Sequence, residues 1–368
     1  MNLSQLANPR ILEQPTYTPG KPIEDVAEEN GLALKEIIKL ASNENPWGAS
    51  PDSIKAGQIA LEKVHLYPEG SGTALRKELA KHFSLQPSQF ILGNGSNEII
   101  ELLGHVFLNP GDEVVFGTHA FSVYRLIALL MGAIPVAIEM PDLKHDLDLA
   151  LKAIGPKTKI VFLPSPNNPT GTRNTNHEIY EFINALPDHV IFCLDEAYAE
   201  YLEDPPDLLP FLASGKKIIA MRTFSKIYGL AGLRIGYAYA SNEMIDLLQK
   251  ARQPFNVNSI AQASAIAALK DQGWVRQCRK RNFDGMCHLE KGLNALEIEF
   301  VSSAANFILT KVGDGKRVSE YLQNKGIIVR PLPDELSDYV RISIGTEHEN
   351  EQVLDALKDF SESKTHQK

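Results

Sequence analysis

The sequence is poor in cysteine, with three in 368 residues. Cys193, Cys278 and Cys287 form no Cys-x-x-Cys pair, which excludes a disulfide framework and points to reduced thiols in the cytoplasm. Cys193 sits in an apolar run and reads as packing rather than as a nucleophile. Long hydrophobic runs are missing too. The best candidate, Leu126 to Ile138, falls short of the roughly 18 residues a membrane span needs, and it carries Gly132 and Pro135. Met1 to Arg10 is polar and lacks the apolar centre of a secretory signal. There is no basic excess either: 37 Lys and Arg stand against 46 Asp and Glu, a formal net charge of −9. A general nucleic-acid binder needs a basic face to neutralise phosphates, so neither nucleic acid nor membrane is an expected partner. Gly93-Asn94-Gly95-Ser96-Asn97-Glu98 starts like a dinucleotide fingerprint but lacks its third glycine. The Gly-Lys pairs at 20–21, 215–216 and 315–316 lack a phosphate-loop context, and neither HExxH nor GxSxG occurs. The simplest dehydrogenase, NTPase, metalloprotease and hydrolase readings therefore fall away, and no metal is expected.

What remains is an ordinary globular composition, with 43% hydrophobic and 23% charged residues, which rules out a disordered chain. The length suits a large domain with a smaller companion. Residues 1–30 read as an irregular arm, because Pro9, Pro15, Pro19, Gly20 and Pro22 interrupt helix and strand alike. Residues 31–50 read as a linker and small-domain segment. From 51 to 255, apolar runs at 90–92, 113–116, 134–138, 159–163, 190–194, 218–223 and 234–240 alternate with helical stretches such as 96–108, 122–131 and 176–185. That pattern predicts an α/β domain with a mostly parallel, seven-stranded sheet flanked by helices. Its strands are nearly all apolar, as two covered faces require. Residues 256–368 change character and predict a smaller α+β domain. Its long helices cover 259–270 and 274–296, its strands 307–311, 327–330 and 340–344, and a terminal helix 349–361.

Four segments fall at the carboxyl ends of predicted strands, where open α/β sheets bind ligands. In the first, two glycines turn the chain into a helix near Ser96, so that the amides of Ser96 and Asn97 can hold a phosphate. The plainer reading is a glycine turn with a serine cap. In the second, Pro164-Ser165-Pro166-Asn167-Asn168-Pro169-Thr170-Gly171, three prolines stiffen a loop and fix where Asn168 points. A rigid turn is the alternative, but it needs less constraint than this. In the third, Asp195 ends the apolar run 190–194. A carboxylate there is costly without a cationic partner, unless it merely caps the next element. In the fourth, Lys226 follows another apolar strand and Arg234 comes eight residues later. A lysine in a low-dielectric pocket becomes an amine nucleophile, and an arginine grips an anion; a lone surface lysine would do neither. Together the four suggest one ligand with an aldehyde, a cationic ring nitrogen, a phenolate oxygen and a phosphate, which is pyridoxal 5′-phosphate.

The runs PNNPTG, DEAY and SKIYGLAGLRIGY resemble the aspartate-aminotransferase-like, fold-type I superfamily of pyridoxal-phosphate enzymes over almost the whole chain. Within it, LASNENPWG at 40–48, YPEGS at 67–71, LGNGSNEII at 92–100, AFSVY at 120–124 and VRISIGTEHEN at 340–350 are most similar to the histidinol-phosphate aminotransferase family. The resemblance implies that Lys226 bonds to the cofactor aldehyde and later moves the substrate's Cα proton. Asp195 would pair with the ring nitrogen and keep the ring an electron sink. Asn168 and Tyr198 would hold the ring oxygen, and Phe121 would stack on the ring. Ser96, Asn97, Ser225 and Arg234 would bind the phosphate, and Tyr67 would reach it from a partner subunit, which makes the active unit a homodimer with shared sites. Phe121 stands where some members have tyrosine, so a ring hydroxyl contact is lost while stacking survives.

The implied reaction converts imidazole-acetol phosphate and L-glutamate to L-histidinol phosphate and 2-oxoglutarate in histidine biosynthesis. One site must then accept an anionic phosphate or carboxylate end, and Arg330 and Arg341 are the expected cations. Tyr17 and Tyr124 are expected to line the substrate pocket, with Asn306 as a further contact or a core-capping amide. Two alternatives share the scaffold: an aromatic amino-acid aminotransferase and a threonine-phosphate decarboxylase. A cofactor-binding transcription regulator would need a DNA-binding domain that the short arm before residue 40 cannot supply.

Overall fold

The structure, a computed structural model, describes residues 2–12, 14 and 20–365. Thirteen strands occur among them: β1 (Ile38–Lys39), β2 (Phe90–Gly93), β3 (Glu113–Gly117), β4 (Ile134–Ile138), β5 (Thr158–Pro164), β6 (Ile191–Asp195), β7 (Ile218–Thr223), β8 (Gly236–Ala240), β9 (Phe300–Val301), β10 (Phe307–Lys311), β11 (Ile327–Ile328), β12 (Arg330–Pro331) and β13 (Tyr339–Ser343). Seven of them form the large sheet in the order β2-β8-β7-β6-β5-β3-β4. The pairs from β7 to β4 are parallel, while β8 runs antiparallel to both β7 and β2. β2 therefore points the same way as β7, and its carboxyl end joins the others at one edge.

The alternation of side chains along each strand explains why the runs are apolar throughout. Val161, Leu163, Phe192 and Leu194 enter one core, whereas Ile160, Phe162, Ile191 and Cys193 enter the other, on the opposite face. Cys193 is fully buried there. β4 is one of the two edge strands, and Ile134 on it is exposed. A second, antiparallel sheet, β12-β13-β10-β9, packs with the helices Gly315–Asn324 and Glu347–Thr365 around a separate core of residues such as Ile308, Val318, Val340 and Leu357. β1 pairs with β11 in parallel, which ties the segment before residue 40 to this smaller body.

The structure refines several of these expectations. The arm is not irregular throughout: Ile23–Asn30 is a helix that ends at left-handed Gly31, and Val26 packs with Ala41 and Ile328. Pro22 stands just ahead of that helix, and Pro9 at the first position of the short helix Pro9–Leu12, where proline does no harm. Packing crosses the boundary expected after residue 255. The helix Ser259–Lys270 lies against Pro51–Leu61 so closely that Ser53 Oγ donates to the Ser264 carbonyl at 3.0 Å, and Ala261 and Ala265 belong to the large-sheet core. The long helix Gln272–Ala295 bridges both bodies, giving Val275 and Cys278 to the large core and Met286, Leu289 and Leu293 to the small one. Finally, the strand expected from Arg234 begins at Gly236 because Arg234 is left-handed, with φ 55°. The run 327–330 is divided into β11 and β12.

Beneath the sheet edge lies a buried ion cluster. Arg222 Nε donates to Glu196 Oε2 at 3.0 Å, and Nη1 to Glu200 Oε1 at 3.4 Å, while Tyr239 Oη donates to Glu196 Oε2 at 3.0 Å. This fastens the turn after β6 onto β7 and β8. Arg222→Met leaves two buried carboxylates uncompensated, and chemical denaturation should show a loss of about 3–5 kcal/mol. A loss below about 1 kcal/mol, typical of exposed pairs, would contradict this role.

Candidate active site

The carboxyl ends of β2, β3, β5, β6 and β7 open into one cavity of about 210 Å³, lined by Ser96, Asn97, Phe121, Asn168, Asp195, Tyr198, Ser225, Lys226 and Arg234. Ten of the sequence-derived candidates, counting Tyr124, meet there. A larger outer cavity of about 610 Å³ shares Phe121, Asn168 and Lys226 with it and adds Arg330, Arg341, His119 and Arg125.

The inner cavity is built from strand ends. Asp195 is the last residue of β6 and is buried. Burial pushes its carboxyl up to about 6, against which the Tyr124 hydroxyl and the Ala197 amide favour the ionised form. Lys226 follows β7, and its Nζ donates to the Ser42 carbonyl at 3.1 Å. Burial, and then the like charge of Arg341, pull its ammonium down to about 8, so about a tenth of it is neutral at pH 7. The loop after β5 is pinned by Asn167, whose amide donates to the His119 carbonyl at 3.0 Å and to Thr170 Oγ1 at 2.8 Å. That leaves Asn168 facing the cavity, where its Oδ1 accepts from Arg341. Tyr198 is buried, and burial raises its phenol above the ordinary value.

At the other end, the helix Ser96–Phe107 begins at Gly95 with no side-chain cap, so its first amides face the cavity. Gly95 has φ 74°, and a Cβ there would stand 2.5 Å from Arg234 Nη2; at Gly236 it would stand 2.7 Å from the Ser96 nitrogen. Only glycine at both positions lets the guanidinium close over the helix start. Arg234 Nη1 also donates to Ser225 Oγ at 3.3 Å. The uncapped helix start, Ser225 and Arg234 thus present a cluster of donors at this end of the cavity.

Four candidates need separate mention. Tyr124, expected in the substrate pocket, is fully buried behind the inner cavity, where its Oη donates to Asp195 Oδ2 at 2.7 Å and its ring stacks on Phe162 at 4.4 Å. As the turn of helix Val123–Met131 that carries it points inward, it serves the carboxylate rather than the outer cavity. Asn306 is a strut, donating to the carbonyls of Asn43 and Glu44. Tyr67 lies outside the cavity, 83% exposed and stacked on Phe255. Tyr17 falls outside the described residues. Residues 41–43 carry contacts that the motif reading did not assign. Ala41 O accepts from Arg341 Nη2 at 2.6 Å, Ser42 O from Lys226, and Asn43 Nδ2 donates to Tyr198 Oη at 2.9 Å. The signal was the polar run SNEN ahead of Pro46, buried at Asn43 and Asn45.

The model of the family "Aminotransferase class I and II" matches residues 35–357. Histidinol-phosphate aminotransferase of Akkermansia muciniphila is 43% identical over 363 residues, covering 98% of this chain and 99% of that protein. The corresponding protein of Methylobacillus flagellatus is 44% identical over 352 residues, or 95% of each. Among solved structures, histidinol-phosphate aminotransferase from Sinorhizobium meliloti in complex with pyridoxal-5′-phosphate superposes with a TM-score of 0.88 at 26% identity, covering 97% of this chain and 98% of that one. The family model and these relatives place the chain in the class I and II aminotransferase family, among its histidinol-phosphate aminotransferases.

Proposed function

We propose that the chain binds pyridoxal 5′-phosphate in the inner cavity and transfers an amino group from L-glutamate to imidazole-acetol phosphate, giving 2-oxoglutarate and L-histidinol phosphate in histidine biosynthesis. The observation that carries this is Lys226, half-buried and with its ammonium lowered to about 8, sharing one cavity with a buried carboxylate and with the donors Ser96, Asn97, Ser225 and Arg234. The donor set fits the cofactor: an amine for its aldehyde, Asp195 for its ring nitrogen, Asn168 and Tyr198 for its ring oxygen. Phe121 covers the ring face, and Ser96, Asn97, Ser225 and Arg234 hold its phosphate. When bound, the cofactor supplies a conjugated cationic ring that accepts the electron pair left at the substrate's Cα.

The chain's own groups do the rest. Asp195, held ionised by Tyr124 and Ala197, keeps the proton on the ring nitrogen. Lys226 Nζ, near the reacting end, would accept the Cα proton and return it. In the outer cavity Arg341, fixed by Asn168 and the Ala41 carbonyl, presents its charge to a carboxylate. Arg330 lines the same cavity and suits a second anionic end, the phosphate of one substrate or the side-chain carboxylate of the other. Two arginines explain how one site serves both. Tyr17 would complete this pocket from the arm.

The active unit we infer is a homodimer. Ile54, Ile59, Leu61, Val64 and Leu66 are all exposed in the stretch leading to Tyr67, an apolar surface suited to a second copy. Tyr67 would then reach the partner's phosphate cradle. Three unpaired thiols suit a reducing compartment, in keeping with a cytoplasmic enzyme.

The decisive experiment is a half-reaction without keto acid. Histidinol phosphate should bleach the visible band of the bound cofactor much faster than phenylalanine or threonine phosphate does. Faster bleaching by phenylalanine would move the activity to aromatic amino acids. Carbon dioxide release from threonine phosphate would make it a decarboxylase. Lys226→Ala should retain the cofactor non-covalently and lose nearly all turnover; normal turnover would sink the assignment. Asp195→Asn should slow the Cα proton step at least 100-fold, within the range of positioned acid–base groups, while substrate affinity changes little. A change in affinity alone would refute the ring-nitrogen role. Because only the neutral amine attacks the aldehyde, covalent loading of the apoenzyme should accelerate as pH rises and level off above about 8. A rate still climbing toward pH 10 would show an ordinary, solvated lysine.

A further inference from the structure

Asn43 stands where the two bodies meet, lining the outer cavity and touching Tyr198 of the inner one. It is a non-glycine residue with φ 54°, it is buried, and every polar group it has is engaged. Its backbone N–H donates to Ser343 Oγ at 2.9 Å, and its carbonyl accepts from Asn306 Nδ2 at 3.0 Å. Ser343 Oγ lies 3.1 Å from Asn43 Oδ1, and Asn43 Nδ2 lies 2.9 Å from Tyr198 Oη.

These contacts fix the direction of a proton. Ser343 Oγ already accepts from the Asn43 N–H, so its own hydrogen is donated to Oδ1. Turning the amide over would leave that buried hydrogen with no acceptor among the described contacts. Nδ2 carries only hydrogens, so Tyr198 Oη must accept from it, and the phenolic hydrogen must point to some other acceptor. We propose that Asn43 is a positioning residue that holds Tyr198 as a hydrogen-bond donor toward the inner cavity, with the polarity set by Ser343. This rests on the reading that places Tyr198 against the cofactor's ring oxygen. Ser343 lies two residues beyond Arg341 on the same face of β13, so the strand that presents the substrate's arginine also sets the phenol's direction. Burial keeps the phenol protonated, and the charged groups facing it are Lys226, whose Nζ stands 5.7 Å from the ring centre, Arg341 and Asp195.

A hydrogen bond donated to the ring oxygen stabilises its anion and weakens the hold of the adjacent lysine-derived nitrogen on its proton. The visible absorbance of the holoenzyme therefore titrates at a lower pH than it would without the donor. Asn43→Asp has the same shape but only accepts, so it captures the phenolic hydrogen. Its titration midpoint should rise by about one pH unit, the scale of one charge-assisted hydrogen bond. The half-reaction rate should fall about tenfold with KM nearly unchanged. Asn43→Gly tolerates the left-handed backbone and frees the phenol to rotate, so a smaller rise is expected. Tyr198→Phe is the reference: it should raise the midpoint, and Asn43→Gly added to it should change nothing further. Ser343→Ala, which frees the amide to turn, should raise the midpoint in part and carries the test if Asn43 variants do not fold. If Tyr198→Phe leaves the midpoint in place, the ring-oxygen reading is wrong. If Tyr198→Phe moves it while the Asn43 and Ser343 variants lower only the melting temperature, the positioning role is wrong. A further shift from Asn43→Gly on top of Tyr198→Phe would also overturn it.

Discussion

Keeping a carboxylate charged at the end of a wholly buried strand is unfavourable, and much of the structure around Asp195 offsets that cost. Burial alone drives the group toward its neutral form, which could not stabilise a cationic ring nitrogen. Tyr124 and the Ala197 amide oppose this with two hydrogen bonds, and Lys226 adds charge of the opposite sign. Tyr124 can do so only because its ring is clamped against Phe162 and its own proton is held tightly by burial. The turn that supplies the Ala197 amide is fixed in turn by Glu196, anchored to Arg222 and Tyr239. A ligand cation thus completes an electrostatic arrangement that protein dipoles have prepared in part.

The sheet and the inner site were legible because each rests on a local signal. Apolar runs bounded by turn residues marked all seven large-sheet strands, and chemistry-bearing residues stood directly after them: Asn168, Asp195 and Lys226. Strand direction then brought them to one edge without further information. The failures have a common physical origin in long-range packing. Nothing local distinguishes Tyr124 facing the outer cavity from Tyr124 turned inward to Asp195, 71 positions away. Pro9 and Pro22 read as breakers, but at a helix start proline costs little. The helix Ser259–Lys270 shows small residues at 261, 264, 265 and 268 that announce close packing but not the partner, which proved to be the helix Pro51–Leu61.

Asn43 was hidden for a different reason. Its motif was visible, but an asparagine in a polar run ordinarily reads as a turn residue satisfying its own backbone. Its partners, Ser343 and Tyr198, lie 300 and 155 positions along the chain. Only the fold reveals that one short segment supplies carbonyl acceptors to both Arg341 and Lys226 and an amide donor to Tyr198.

That arrangement constrains how the two bodies can move. Residues 41–43 are joined to the small body through Ser343 and Asn306, and they touch the large body at Lys226 and Tyr198. A rotation of the small body that brought Arg341 toward a substrate would carry the same segment with it. It would alter the Ser42 contact to Lys226, the group that the proposed function assigns to the substrate's proton. Substrate capture and liberation of the lysine would then be parts of one displacement, linked by backbone rather than by a chain of side chains. Such a link is economical in a physical sense: the backbone is already ordered by β1 pairing and by the αL turn at Asn43, so little further conformational entropy is lost when the site engages.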